Sequence, residues 1–306
     1  MIAVIGEILV DIFKDGEEET VLPGGAPFNV ACNIAHFGGE VGFIGSVGTD
    51  KYGDMLKRIA ESRPFKYVFI KQHEKKATTQ AIVTLTNGER NFKFKRDNAV
   101  DYVFDIEVLK QVTFPDNTLL HLGSLMLSEK VGQDFAFDVL KLVKECGLKL
   151  SFDLNFRTDI FGEMHNWIPL FSKIINEAAI VKFSEEEIIA YTNEKDAESA
   201  LRTFKNDKQI IIVSLGNNGS MFKYDGHIIK VPTLKVEPVD TTGAGDAFYS
   251  FILYALSRKK TWQFTHGELI KILYLANQVG AASTLKKGAI DVVPDINEIK
   301  AWGYHE

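Results

Sequence analysis

Residues 240–258 read DTTGAGDAFYSFILYALSR, and two segments of opposite character meet inside them. Gly243, Ala244 and Gly245 leave the main chain bare, Asp246 adds a carboxylate, and the remainder is apolar enough to be a buried helix. The first N–H groups of a helix lack intrahelical partners and sit at the positive end of its dipole, so small residues there open a seat for an anion. The same pattern also arises when an acid merely stabilises a first helical turn behind a glycine turn. The flanking chain has to decide between the two.

Outward from this stretch, short runs rich in Val and Ile recur at 2–6, 41–48, 118–124, 148–154, 179–184 and 209–216. Most lack polar alternation, as strands covered on both faces do. Helical stretches fall between them at 26–37, 50–62, 129–146, 197–206, 245–258 and 266–284. Alternation of this kind predicts an α/β fold with a mostly parallel central sheet and helices on both faces. The exception is residues 78–99, TTQAIVTLTNGERNFKFKRDNA, where two alternating runs flank Asn87-Gly88 and predict a hairpin. Half-polar strands there, joined by residues 12–22, predict a small β-sheet lid drawn from about 12–22 and 66–100. A second hairpin is expected at Asp225-Gly226. With no repeat or Pro/Gly/Ser linker, residues 1–306 are read as a single domain.

Composition narrows the function. A formal net charge of -6 argues against a general nucleic-acid binder, which needs clustered Lys and Arg. Cys32 and Cys146 are far apart and outside any CxxC pair, so neither a disulfide framework nor a zinc site is expected. The opening MIAVIGEILVDIF is broken by Glu7 and Asp11 and follows no basic segment, so it is read as a first strand in a cytoplasmic protein. No run approaches the roughly 20 apolar residues of a membrane span. The sequence has no GxxxxGK[ST] loop, GxGxxG fingerprint, HExxH or GxSxG elbow, so any phosphate seat at 243–246 would be of another kind. The scattered histidines are assigned no chemistry.

DTTGAGDAF followed by an apolar helix, together with GGAPFNVACNIAHFGGEVGFIGSVGTDKYG at 24–53, resembles the two signatures of the PfkB, or ribokinase-like, carbohydrate kinases, and most of all its fructokinases. The resemblance implies a ribokinase-like fold and ATP-dependent transfer to a primary hydroxyl of a small sugar. Asp246 would be the base, and the amides of Gly243, Ala244 and Gly245 the anion hole. Asp246 is expected to stay ionised at the helix terminus. For the sugar it points to Asp11, the backbone at Gly24 and Gly25, and Asn29, groups that suit vicinal hydroxyls.

Arg96 stands where related kinases carry an aromatic-Tyr-Arg sequence that reaches the sugar, although Lys95 replaces the Tyr. SFDLNFRTDIFG at 151–162 is similar to the family's DxNxR segment, with Asn155 expected on the ATP side and Arg157 at the substrate or its phosphate. VKFSEEE at 181–187 is similar to its NxxE segment, with Ser184 in place of Asn and Glu187 organising Mg²⁺ through water. Ser214, Gly216, Gly219, Asn277 and Gly288 would line ATP. Asp240 and Thr242 would hold a monovalent cation such as K⁺, and a homodimer is expected. The alternatives are 2-keto-3-deoxygluconate kinase or another PfkB sugar kinase, and, in another class, a non-catalytic sugar-binding regulator.

Overall fold

The computed structural model describes residues 1–15, 18–86 and 89–304. Among the described residues, thirteen strands fall into two sheets. In chain order they are β1 Ile2–Ile5, β2 Leu9–Asp15, β3 Glu18–Gly24, β4 Val41–Gly48, β5 Tyr67–His73, β6 Gln80–Thr86 and β7 Glu89–Lys95. There follow β8 Leu119–Leu122, β9 Lys149–Asp153, β10 Ile180–Ser184, β11 Ile210–Ser214, β12 Ser220–Tyr224 and β13 His227–Val231.

The main sheet has the order β13-β12-β11-β10-β9-β8-β1-β4-β5. Every pair from β11 to β5 is parallel, and β12 and β13 extend the edge as an antiparallel hairpin. Its strands are apolar on both faces because both faces are covered. Ile2, Val4, Ile210 and Ile212 enter one core, while Ala3, Ile5, Ile211 and Val213 enter the other. The order reverses at β1, which lies between β4 and β8, so the crossovers leave in opposite directions and open a crevice at its carboxyl end.

The first core packs the helices Ala26–His36, Ala244–Ser257 and His266–Ser283 against the sheet. The middle helix lies between the other two and is buried at every position from Ala247 to Leu256. That explains why its sequence lacks a polar face. Phe251 anchors it, with its ring centroid 5.7 Å from Phe37 and 5.2 Å from Tyr304.

The second sheet has the order β3-β2-β6-β7 and forms the lid. Its first strand begins at Leu9 rather than 12, because Leu9 already pairs with Gly24. Asn87-Gly88, expected as the hairpin turn, lies outside the described residues; the strands either side pair antiparallel, with Thr86 opposite Glu89. The second expected turn is formed by Asp225 and Gly226, both with positive φ (48° and 74°). The range 66–100 for the lid is too wide. β5 joins the edge of the main sheet parallel to β4, and the ring of Tyr67 covers Gly42 so closely that a Cβ there would fall 2.1 Å from it.

Truncating Phe251→Ala is expected to cost about 3–5 kcal/mol, read from urea denaturation. A loss below about 1 kcal/mol would show that this helix is not held as its packing implies.

Candidate active site

Two cavities open at the carboxyl ends of the parallel strands. The first, of about 330 Å³, lies between body and lid, with Glu7, Asp11, Asn29, Arg157, Lys182 and Asp246 on its walls. The second, of about 360 Å³, has Ser214, Gly216, Gly219, Phe248 and Asn277 on its walls. Both reach Thr241 and Gly245, so they meet at the start of the Ala244–Ser257 helix.

That start has no side-chain cap. Gly243 precedes it with φ 72°, in the left-handed region, and a Cβ there would lie 2.5 Å from the Cβ of Ala289. The first helical bond runs from the Ala247 N–H to the Gly243 carbonyl at 2.8 Å, and the Ala244 N–H turns back to the Thr241 carbonyl at 3.3 Å. The N–H groups of Gly245 and Asp246 precede the first helical bond, at the junction of the cavities. An anion placed there meets two bare amides and the dipole of a 14-residue helix.

Asn29, on the neighbouring helix, donates from Nδ2 to Oδ2 of Asp246 at 2.8 Å. The protein packed around Asp246 withdraws water from its carboxyl and raises it to about 6, against the Asn29 bond and the nearby Lys182 and Arg157, with Asp153 adding to the rise. Desolvation thus raises Asp246 despite the helix terminus beside it. The group remains mostly ionised at neutral pH yet close enough to accept a proton usefully.

Residues 1–296 match the family described as pfkB family carbohydrate kinase. The chain belongs to that family. It is an ATP-dependent carbohydrate kinase. Its sequence is 30% identical to the fructokinase of Vibrio alginolyticus over 97% of this chain and 96% of that protein. The fructokinase of Vibrio cholerae O395, solved with fructose, ADP and a calcium ion, superposes with a TM-score of 0.88 at 29% identity, covering 98% of this chain and 97% of that one. A double mutant of that enzyme with fructose, ADP and a potassium ion gives the same figures. The aminoimidazole riboside kinase of Salmonella enterica, bound to its riboside and an ATP analogue, gives 0.83 at 26% identity over 98% of each chain.

The kinase brings most of the expected residues to the two cavities. Asp11 is buried and raised to about 7, first by burial and then by Asp246, with Arg157 opposing. Gly24 sits against it, so that a Cβ would fall 2.2 Å from the Asp11 carboxylate. Gly25, at φ 105°, packs so closely that a Cβ there would fall 2.6 Å from the Glu7 carbonyl oxygen. Ser214, Gly216, Gly219 and Asn277 line the second cavity, and Asn277 is fixed by donating from Nδ2 to the carbonyls of Val231 and Pro232 at 3.2 and 3.1 Å.

Three residues depart from expectation. Arg96 does not line the cavity: Nε and Nη2 donate to Asp101 at 2.9 and 3.1 Å, and Nη1 donates to Ser128 at 2.9 Å. Phe94, two residues earlier, does line it, and its N–H donates to Asp159 at 3.1 Å. Asn155, at φ 40°, lines the first cavity rather than the second. Gly288 supports the helix start instead of lining the second cavity, donating its N–H to Asp240 Oδ2 at 3.0 Å while Oδ1 accepts from Thr242 at 2.7 Å. Glu187 accepts from the N–H groups of Phe156 and Ser184, both at 2.7 Å, and so closes a capping box. Among the described residues no group of three or more His, Cys, Asp or Glu could hold a metal ion.

Lys182 was missed in the sequence reading. On β10 it reaches the first cavity and binds both oxygens of Asp153 at 3.0 and 2.9 Å, with its Nζ 3.8 Å from a would-be Gly245 Cβ. Burial works against its charge, but Asp153, Glu187 and Asp246 outweigh burial and hold the ammonium above its usual pKa. A lone Lys between apolar neighbours in IVKFS was the available signal, since charges in fully covered strands are rare unless paired.

Lys182→Met is expected to destabilise by about 3–5 kcal/mol because it strands the Asp153 charge, and the double variant Lys182→Met/Asp153→Leu to recover most of the loss. Chemical denaturation of the four proteins of this cycle checks it; equal losses in the single and double variants would contradict it.

Proposed function

We propose that this kinase is a fructokinase that transfers the γ-phosphoryl group of ATP to a primary hydroxyl of fructose. The observation that carries this is the meeting of a hydroxyl-binding cavity and a second cavity at the same uncapped helix start, beside Asp246. ATP lies in the second cavity with its terminal phosphoryl at the Gly245 and Asp246 amides, and the sugar lies in the first with its hydroxyl at Asp246. Asn29 holds Oδ2 and leaves Oδ1 for the hydroxyl proton. The loose transition state of phosphoryl transfer needs that proton removed only as the new bond forms, so a positioned carboxylate of modest basicity suffices.

Fructose is favoured over an acid sugar by charge. Glu7, Asp11 and Asp246 share the cavity, Lys182 is matched by Asp153 and Arg96 by Asp101, so Arg157 alone would face a substrate carboxylate. The names of the relatives point the same way, while the riboside kinase keeps other acceptors of the family in the comparison. Glu187 would help to hold Mg²⁺ through water, and the ion would neutralise charge on the ATP phosphates. A monovalent cation beside Asp240 and Thr242 would brace the loop that Asp240 already ties to Gly288. A cytoplasmic location fits an ATP-dependent reaction. A homodimer would pair through the lid, whose outer strands are β3 and β7, and a mass measurement in solution reads it.

Asp246→Asn is expected to lower turnover by roughly 10²–10⁴-fold while sugar binding persists; near-normal turnover would end the assignment. In the wild type, kcat/KM should fall as pH drops through about 6, because the base protonates there. Kinetics on fructose, ribose, 2-keto-3-deoxygluconate and aminoimidazole riboside decide the acceptor, and a lower kcat/KM on fructose than on any of the others would displace it. Replacing K⁺ by tetramethylammonium should lower the rate, and an unchanged rate removes the cation.

A further inference from the structure

Lys182 lines the first cavity and its partner Asp153 does not, so this buried pair presents its cationic member to the open side. The bonds to Asp153 at 3.0 and 2.9 Å use two of the three ammonium N–H groups, and no acceptor holds the third among the described residues. Gly245 stands beside it. Apart from its chain neighbours and its own helix backbone, only Nζ and Cε of Lys182 come within 4 Å of a would-be Cβ there, at 3.8 and 3.9 Å. Those are ordinary contact distances, and Gly245 has no left-handed φ, so packing alone would accept an alanine. The space left open adjoins both the Gly245 amide and the ammonium. A Cβ lies about 2.5 Å from its own nitrogen, which puts Nζ within about 6 Å of that amide. A group with several anionic oxygens can bond both donors across that gap, at about 2.8 Å each.

We propose that Lys182 is a catalytic residue whose third N–H donates to an oxygen of the migrating phosphoryl group at the Gly245 amide, most strongly in the transition state. The inference rests on the phosphoryl-transfer reading above and names one contact within it. As the sugar oxygen bonds to the γ-phosphorus and the bond to the β–γ bridging oxygen breaks, the hydroxyl proton passes to Asp246 and ADP leaves. Lys182 keeps its own proton throughout. Charge in that transition state spreads over the three equatorial oxygens, and a donor already fixed in place answers it without reorganising. Asp153 supplies the fixing, because it holds the ammonium by both oxygens from behind the cavity wall. The pair is neutral to a charge elsewhere in the cavity, whereas a group seated against Gly245 meets the ammonium itself.

The test compares the full chain with Lys182→Met/Asp153→Leu, which removes the pair without stranding a charge, and with Asp153→Asn, which keeps the ammonium. Two quantities are measured with Mg²⁺ and fructose present: the affinity for ADP alone, and the affinity for ADP with tetrafluoroaluminate, a mimic of the phosphoryl group in transit. The double variant should bind the mimic complex roughly 10²–10³-fold more weakly and lose kcat by a similar factor. Its ADP affinity and its KM for fructose should stay within about threefold. Asp153→Asn should stay within about tenfold of the wild type in mimic affinity and kcat, since Glu187 and Asp246 still hold Lys182 charged. Should the double variant fail to fold by its melting curve, Lys182→Gln/Asp153→Asn keeps a neutral hydrogen-bonded pair and carries the same expectation. Unchanged mimic affinity, an equal loss for ADP alone, or an equal loss in Asp153→Asn would overturn the contact. So would a kcat loss that vanishes above about pH 8, which would place the effect in the protonation of Asp246. A wild type inactive on every sugar would remove the fructokinase reading, whereas an active wild type with an indifferent double variant removes this contact alone.

Discussion

The arrangement depends on one constraint: a helix buried along nearly its whole length begins, without a cap, at an open junction. Its interior side chains fix the axis and rotation of Ala244–Ser257 to within the tolerance of a packed core, and that fixes where its first N–H groups and Asp246 point. A surface helix could supply the same amides but would not hold them still. The glycines at 243 and 245 serve the two ends of the requirement. Gly243 makes the left-handed entry against Ala289, and Gly245 leaves room for a ligand on both sides.

Electrostatics follow from that geometry. Carboxylates from three separate elements converge on one cavity, and without compensation each would push the others toward protonation. The protein answers with a buried ion pair beneath the helix start and an arginine at its rim. Lys182, held by Asp153, pulls Asp246 down, and Arg157 pulls on Glu7, Asp11 and Asp246 together. Behind them Tyr249 bonds Ser151 at 2.8 Å and Ser151 meets His121 at 3.0 Å, so the polar groups under the first turn of the helix are closed off from the core.

The six apolar runs and six helical stretches read from the sequence all lie where the structure has strands and helices, because both-face burial leaves strands with no polar alternation and helices with a period that differs from it. β5 escaped because an edge strand such as YVFIKQH is polar enough to resemble lid. The site was legible wherever a residue type has one economical use beside a backbone feature, as for Asp246 or Asn29. Arg96, Asn155 and Gly288 were misplaced because their partners, Asp101, the turn after β9 and Asp240, are set by chain segments whose approach no local pattern encodes. Glu7 and Lys182 were visible as charges in apolar runs, but their direction depends on which face of a two-sided sheet they take.

The lid completes the site as much as it covers it. Leu9, Ala81 and Phe94 come from three lid strands, and they pack with Leu125 and Ile160 of the body in a small separate cluster. All but Ile160 also line the first cavity, so part of its wall is the same apolar contact that docks the lid. On the other side Leu22 of β3 lies 3.6 Å from a would-be Cβ of Gly288, whose N–H holds Asp240 and through it the loop before the helix. The lid therefore touches the first cavity directly and the start of the Ala244–Ser257 helix through one turn.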